Sequence, residues 1–325
     1  MITLCKNPEK DFIILNLTDP QLSNEEWSDG HKNRLILEHT VTELVKRVNP
    51  DLITLSGDLA WAGNDFAYDS LANFLESFDI PWAFVWGNHD NQNGADCVQR
   101  VVDRYLKLKN CVYEKGDVSL GNGNYVICIE ENGKPVEGII LLDSHDKDEF
   151  TNESGQVSQV WAKLTKAQIE WYKEQVSALK SMGCKESIML LHIPIFAYYQ
   201  ACNLAYKGGV GIGLAPKYQA VSTADWNAGF ADSVGFTYEG ISCYPEDDGV
   251  FDAVLTCGHT KHVIVGHDHV NNFIINYKGV KLVYGLKAGA GCYWREEMNG
   301  GTVFTIGTDG VKSVRHEYVD VSYIK

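Results

Sequence analysis

The chain has 325 residues, 45% of them hydrophobic, and a formal net charge of −15. The hydrophobic fraction supports a substantial core. The acidic balance argues against a nucleic-acid backbone as partner, since such binding rests on Lys and Arg neutralising phosphates. A small phosphorylated substrate or a phosphoprotein stays open, because bound metal ions dominate the field in their own pocket. No apolar run approaches the roughly 18 residues that span a bilayer, so no membrane association is expected. Met1 to Lys10 lacks the apolar stretch of a secretory signal. The nine cysteines are scattered without C-x-x-C spacing, the pattern of reduced, buried thiols in a cytoplasmic protein.

In chain order, FIILNLT (12–18) has the short apolar run of a buried strand, ending at an acidic residue and Pro20. Helical spacing over 31–48 follows and stops at Asn49-Pro50. DLITLS (51–56) predicts a second strand, 65–78 a helix, WAFVW (82–86) a third strand and 95–108 a helix. Residues 111–129 and 136–143 suggest antiparallel strands around the polar EENGK, and 145–163 a polar stretch without a clear strand. A helix is expected over 165–182 and a strand at IMLL (188–191). Residues 197–250 lack periodicity, as a functional loop or substrate wall does. HVIV (262–265) predicts another strand. Two hairpins are expected, turning at Lys278-Gly279 and Asp309-Gly310. Strand–helix alternation followed by hairpins suggests two packed sheets flanked by helices, and the lack of repeats or linkers makes 1–325 one domain.

Five of these segments end in side chains that can hold a metal. Asp19 and Gln21 follow FIILNLT, Asp58 follows DLITLS, and Asn88 and His89 follow WAFVW. His192 follows IMLL, and His267 and His269 follow HVIV. Ligands in α/β sheets gather beyond the carboxyl ends of strands. Glycines at 57, 87 and 266 allow sharp turns and close backbone approach there. Mixed carboxylate, amide and imidazole groups suit Mn²⁺, Fe²⁺, Zn²⁺ or Ni²⁺ better than the all-oxygen shell of Ca²⁺.

The set D-x-Q, GD, GNHD, H and GHDH resembles the calcineurin-like metallophosphoesterase family. GHDHVNNF, KGVKLVYG and Tyr293-Trp294-Arg295 are similar to its purple-acid-phosphatase-like branch. The resemblance implies an α/β four-layer sandwich of two mixed β-sheets flanked by helices. It implies two divalent metal ions, one held by Asp19, Gln21 and His269, the other by Asn88, His192 and His267, with Asp58 bridging. It also implies that a hydroxide shared by the metals attacks phosphorus, that His89 protonates the leaving oxygen, and that Asp90 orients His89. Asp268 is then a supporting or structural residue.

Two departures from the family pattern stand out. Gln21 occupies a position where His is usual, so the first site is expected to be weaker or more Mn²⁺-like. Trp61 stands where an iron-binding Tyr would be, so no iron–tyrosinate centre is expected. Tyr198, Tyr199, Tyr293 and Trp294 are candidates for the substrate wall or for packing. Arg295 is a candidate phosphate group or the partner of the Glu residues after it. His31, His39, His145, His259, His262 and His316 are expected to be structural or surface histidines.

The leading expectation is a phosphomonoesterase. A phosphodiesterase or nucleotide pyrophosphatase on the same centre is the alternative, and a non-catalytic binding protein with a decayed site comes third.

Overall fold

The computed structural model describes residues 1–61, 65–92, 94–206, 226–230 and 232–325. In chain order the elements begin with β1 (Ile2–Lys6), β2 (Phe12–Leu17), α1 (Lys32–Val48), β3 (Leu52–Ser56) and α2 (Asp65–Glu76). Next come β4 (Trp82–Val85), α3 (Asn88–Asn91), α4 (Ala95–Tyr105), β5 (Tyr125–Glu131) and β6 (Lys134–Leu141). The middle holds β7 (Lys147–Thr151), β8 (Val157–Trp161), α5 (Lys166–Ser181), β9 (Glu186–Leu190) and α6 (Phe196–Ala205). The last part holds α7 (Val250–Cys257), β10 (Thr260–Val265), β11 (Ile274–Tyr277), β12 (Val280–Tyr284), β13 (Gly300–Gly307) and β14 (Gly310–Tyr318).

A five-stranded sheet has the order β14-β13-β2-β3-β4, and a seven-stranded sheet the order β1-β5-β6-β9-β10-β12-β11. Both are mixed. Strands β2, β3 and β4 run parallel, with β13 antiparallel on β2. Strands β6, β9, β10 and β12 run parallel, with β5 and β11 antiparallel beside them.

Alternation along the strands decides the layers, since successive side chains point to opposite faces. Ile139, Ile188, Leu190 and Ile264 of the larger sheet meet Ile14 and Phe304 of the smaller one. Their sequence neighbours Ile140, Met189 and Val263 face the other way, into a core shared with α5, α6 and α7. Helices α1, α2 and α4 cover the outer face of the smaller sheet through Leu37, Leu71 and Val101. The result is a four-layer sandwich, helices, sheet, sheet, helices. Its geometry brings the carboxyl ends of β2, β3 and β4 to the same edge as those of β9 and β10.

Local signals work where they are strong. Helix α1 stops at Asn49, which takes the left-handed conformation at φ 48° before Pro50. Helix α5 begins with a reciprocal capping box between Thr165 and Gln168.

Several expectations are corrected. Residues 111–124 form no strand, and β5 begins only at Tyr125. The EENGK loop shrinks to a two-residue turn at Asn132-Gly133, both at positive φ. The polar stretch 145–163 contains the β7–β8 hairpin, a two-stranded sheet of its own. All of helix α6 after Phe196 lies inside the stretch 197–250 expected to be irregular, α7 begins at its last residue, Val250, and 207–225 and 231 of that stretch lie outside the described residues. The last hairpin turns at Thr308-Asp309, one residue earlier than expected. The two late hairpins also separate: β11–β12 edges the larger sheet, while β13–β14 pairs with β2 in the smaller one. No helix among the described residues is long and apolar enough to cross a membrane.

Candidate metal centre

All seven sequence-predicted ligands, Asp19, Gln21, Asp58, Asn88, His192, His267 and His269, are buried and meet at the shared strand ends. Asp19, Gln21, Asp58 and His267 have φ of 51°, 48°, 49° and 77°. Non-glycine residues seldom adopt that conformation, and such strain gathers at functional sites. Tight backbone packing enforces it. A Cβ on Gly57 would lie 2.5 Å from His192 Nδ1, and one on Gly87 2.1 Å from Asp58 Oδ1. Neither glycine has space for a side chain.

The ligand atoms converge in two overlapping groups. In the first, Asp19, Asp58 and His269 place one ligand atom each within 4.8 Å of one another. His269 Nε2 is 3.4 Å from Asp19 Oδ1, and Gln21 Nε2 donates to Asp58 Oδ2 at 2.7 Å. In the second, His192 Nε2 lies 2.9 Å from Asn88 Oδ1, 3.4 Å from Asp58 Oδ1 and 3.2 Å from His267 Nδ1. Asp58 belongs to both groups.

The outward nitrogens of two histidines are committed elsewhere. His192 Nδ1 donates to the Ser56 carbonyl at 2.7 Å, and His269 Nδ1 to the Tyr293 carbonyl at 2.8 Å. Such bonds set the tautomer and leave Nε2 facing inward, as in metal-ligating histidines.

The fit to cations rests on what this cluster leaves unsatisfied. Asp19 Oδ1, Gln21 Oε1, Asn88 Nδ2 and His267 Nε2 are all buried without a hydrogen-bond partner. Buried polar atoms are normally paired, and such a concentration of exceptions needs a reason. Divalent cations would satisfy the Asp19 and Gln21 oxygens, and His267 faces the second group through Nδ1. Asn88 would coordinate through Oδ1, which already points at the second group.

The electrostatics agree. Burial opposes ionisation of Asp19, but His269, His192 and the nearby Lys287 hold its carboxyl far below the usual carboxylate range. Burial would also lower His192, yet the Asp58 and Asp19 carboxylates raise it to about 10. A cation there would displace that proton. Burial, then the neighbouring His192, keeps His267 neutral and able to accept.

His89 sits at the rim, half-buried. Its backbone N–H donates to Asp58 Oδ1 at 2.9 Å, and its ring packs on Trp61 with centroids 4.3 Å apart. Asp90 is corrected. Its buried carboxylate accepts from the Leu59 and Gly87 backbone N–H groups and from the Tyr68 hydroxyl. It braces the loop carrying Asp58, while the His89 ring meets Gln92, with Nδ1 3.1 Å from Oε1. Asp268 is a supporting residue: Tyr284 and the Ser242 backbone donate to it.

The substrate candidates divide. Tyr293 stacks on His269 with centroids 4.2 Å apart, and its hydroxyl donates to Glu239. Tyr199 packs beside Phe196 on α6, and Tyr198 is core, its hydroxyl bonded to the Val263 carbonyl. Arg295 pairs with Glu297 and lies over Tyr238, so the ion-pair reading describes it. Trp294 packs against the core. The remaining histidines have ordinary partners: His31 caps α1, His39 meets Tyr323, His145 meets Gln168, His259 meets Ser187 and His316 meets Thr302. His262 is buried between the sheets near Phe304.

Two contributors gave no signal in the sequence. Lys287, 3% exposed, donates from Nζ to the Asp19 main-chain carbonyl at 2.5 Å. Trp161, at the end of β8, stands edge-on to His267 with centroids 4.4 Å apart. Their distance in sequence hides both.

Comparison with known proteins agrees with this geometry. The chain is 27% identical over 272 residues to "Probable inactive purple acid phosphatase 28" of Arabidopsis thaliana, covering 78% of this chain and 62% of that protein. It is 27% identical over 306 residues to "Probable inactive purple acid phosphatase 29" of the same plant, covering 85% and 71%. The chain thus spans less than two thirds of the first of these relatives. Among solved structures, a dimetal phosphatase from Danio rerio superposes with a TM-score of 0.58 at 13% identity, covering 96% of this chain and 98% of that one, which shows a shared fold. The profile of the calcineurin-like phosphoesterases matches residues 14–271, most of the chain, and the chain belongs to that family.

Proposed function

We propose that the chain is a metal-dependent phosphomonoesterase. The observation that carries this is the convergence of seven ligand-type side chains from five strand ends, four of them with a buried polar atom left unpartnered. Asp19, Gln21 and His269 would hold one divalent cation, Asn88, His192 and His267 a second, and Asp58 would lie between them. Mn²⁺, Fe²⁺, Zn²⁺ and Ni²⁺ all suit this donor set. Bound there, divalent cations would supply charge stabilisation for the phosphoryl oxygens and lower the pKa of an attacking water.

The chain's own residues do the rest. The Gly57 and Gly87 turns fix Asp58 between the two groups. His89, at the rim and packed against Trp61, would hold the proton that passes to the leaving oxygen. Its backbone tie to Asp58 keeps it beside the ligands. A small phosphorylated molecule or a phosphoprotein is the substrate class in this reading.

Two observations support other readings. Trp61 and Tyr293 expose about 37% and 42% of their surfaces beside the site, aromatic area that would suit a nucleotide diester. Gln21 turns its amide N–H to Asp58, and the names of the plant relatives include the word inactive, which supports a catalytically silent site.

One experiment separates the three. The protein is stripped by chelation and refilled with Mn²⁺, and hydrolysis of p-nitrophenyl phosphate and bis-p-nitrophenyl phosphate is compared, with His89→Ala alongside. Metal-dependent activity that prefers the monoester and falls about 10²–10⁴-fold in the variant is expected. Preference for the diester would transfer the assignment to a phosphodiesterase. No hydrolysis of either, with no metal retained, would leave the silent reading.

A further inference from the structure

The Asp90 carboxylate is bonded to backbone N–H groups and Tyr68, and the His89 ring meets a different residue. His89 Nδ1 lies 3.1 Å from Gln92 Oε1, and Gln92 Nε2 donates at 3.1 Å to Asp146 Oδ1. Asp146 immediately precedes β7, and its backbone carbonyl accepts from the Ala162 N–H just beyond β8. The β7–β8 hairpin therefore reaches the site at both ends. Asp146 at its start touches Gln92, and Trp161 at its end touches His267.

The chemistry of this chain of contacts is directional. A carboxylate only accepts, so Asp146 draws the amide nitrogen of Gln92 toward itself. The amide oxygen then faces His89, and an amide oxygen can only accept. His89 Nδ1 must therefore carry a hydrogen. Flipping the amide would set oxygen against carboxylate at one end and lose the acceptor at the other. Neighbouring bonds hold the segment still: Asn91 Nδ2 donates to Asp143 Oδ1 at 2.9 Å, and Asn122 donates to Asn91 Oδ1 at 2.9 Å. The ring face is held by Trp61.

We propose that Gln92, itself oriented by Asp146, is the positioning residue for His89. It keeps Nδ1 as donor and turns Nε2 toward the leaving oxygen of the substrate. The assignment of His89 to proton transfer rests on the phosphomonoesterase reading; the orientation of its ring does not. In turnover, a water oxygen bonds to phosphorus and loses a proton to solvent as the phosphorus–oxygen bond to the leaving group breaks, and the departing oxygen takes the proton from His89 Nε2.

The test uses the full, Mn²⁺-loaded chain with Gln92→Leu, Gln92→Glu and Asp146→Asn. A proton donor matters most when the leaving group is a poor one. Gln92→Leu is expected to lower kcat for an alkyl phosphate about 10-fold more than for p-nitrophenyl phosphate, within the range that positioned proton transfer supplies. Gln92→Glu still accepts from Nδ1 but sets a second carboxylate against Asp146, so it restores most of the loss only when combined with Asp146→Asn, and Asp146→Asn alone, which frees the amide to turn, falls between. Equal losses on both substrates, or none, would overturn the positioning role.

Nitrogen-15 NMR of histidine-labelled protein supplies a readout free of turnover. The wild type should show His89 protonated at Nδ1, and Gln92→Leu should lose that preference. If the wild type hydrolyses nothing, the phosphomonoesterase reading fails, and the NMR result alone decides the orientation. A His89 tautomer unchanged by Gln92→Leu sinks it.

Discussion

Lys287 illustrates how much one side chain outside the ligand set contributes. A buried ammonium is costly unless its surroundings use it. Here it donates to the carbonyl of Asp19, a residue held at φ 51°, and places a positive charge close to the ligand carboxylates. Removing it by Lys287→Met should let Asp19 relax and weaken Mn²⁺ binding about 10–100-fold, the range seen when residues supporting a metal ligand are lost. Calorimetric titration of the stripped protein measures this directly, and unchanged affinity would show the ammonium to be idle. Each of the seven candidate ligands that the fold brings together was visible in the sequence, since each is a metal-type side chain after an apolar run. The support for His89 was not. The sequence neighbour Asp90 looked like its partner, but α3 turns that carboxylate inward to three backbone N–H groups and Tyr68.

At the scale of elements, α5 is set by its first turn. Thr165 Oγ1 accepts from the Gln168 N–H, and Gln168 Oε1 accepts from the Thr165 N–H. The buried Gln168 side chain also donates to the Asp143 carbonyl at 2.7 Å and to Asn124 at 3.1 Å. Thr165→Ala should cost about 1 kcal/mol, the usual cost of a lost helix cap. Gln168→Ala should cost more, roughly 2–4 kcal/mol, because it also strands buried partners. Chemical denaturation orders the two, and a reversed order would mean that Gln168 acts only as a cap. The hairpin β7–β8 shows where element prediction fails. KDEFT and VSQVW carry too many exposed polar residues to alternate cleanly. Their strand form depends on pairing with each other, and their place on contacts to Gln92 and His267.

For the molecule as a whole, the interface between the sheets holds a carboxyl group with no partner. Glu137 on β6 is fully buried, and both carboxyl oxygens lack hydrogen bonds. Burial, then the facing Glu186, raises its pKa well above the usual range for glutamate. The folded state therefore holds this proton more tightly than the unfolded chain does. The stability this provides is complete below the unfolded pKa and is lost as pH rises toward the folded one. Glu137→Gln removes that loss. It should raise stability at pH 8 and change it little near pH 4, measured by urea denaturation at both values. An equal effect at both would show that Glu137 is not held protonated.

The same scale separates what each source of information decided. The sequence by itself determined the seven candidate ligands and the order of the main strands, because a strand, its turn and the residues at its end are written contiguously. The packing of two mixed sheets was also within reach, since helical and strand periodicities alternate along the chain. Tertiary structure alone decided which sheet each late hairpin joins, that 147–161 folds beside the site, and that the His89 ring meets Gln92 while the Asp90 carboxylate faces backbone N–H groups. Each of these depends on surfaces distant in sequence meeting, as Gln92 meets Asp146 and Lys287 meets Asp19. Local residue patterns carry no record of such meetings, because burial and hydrogen-bond partners are set by the assembled layers.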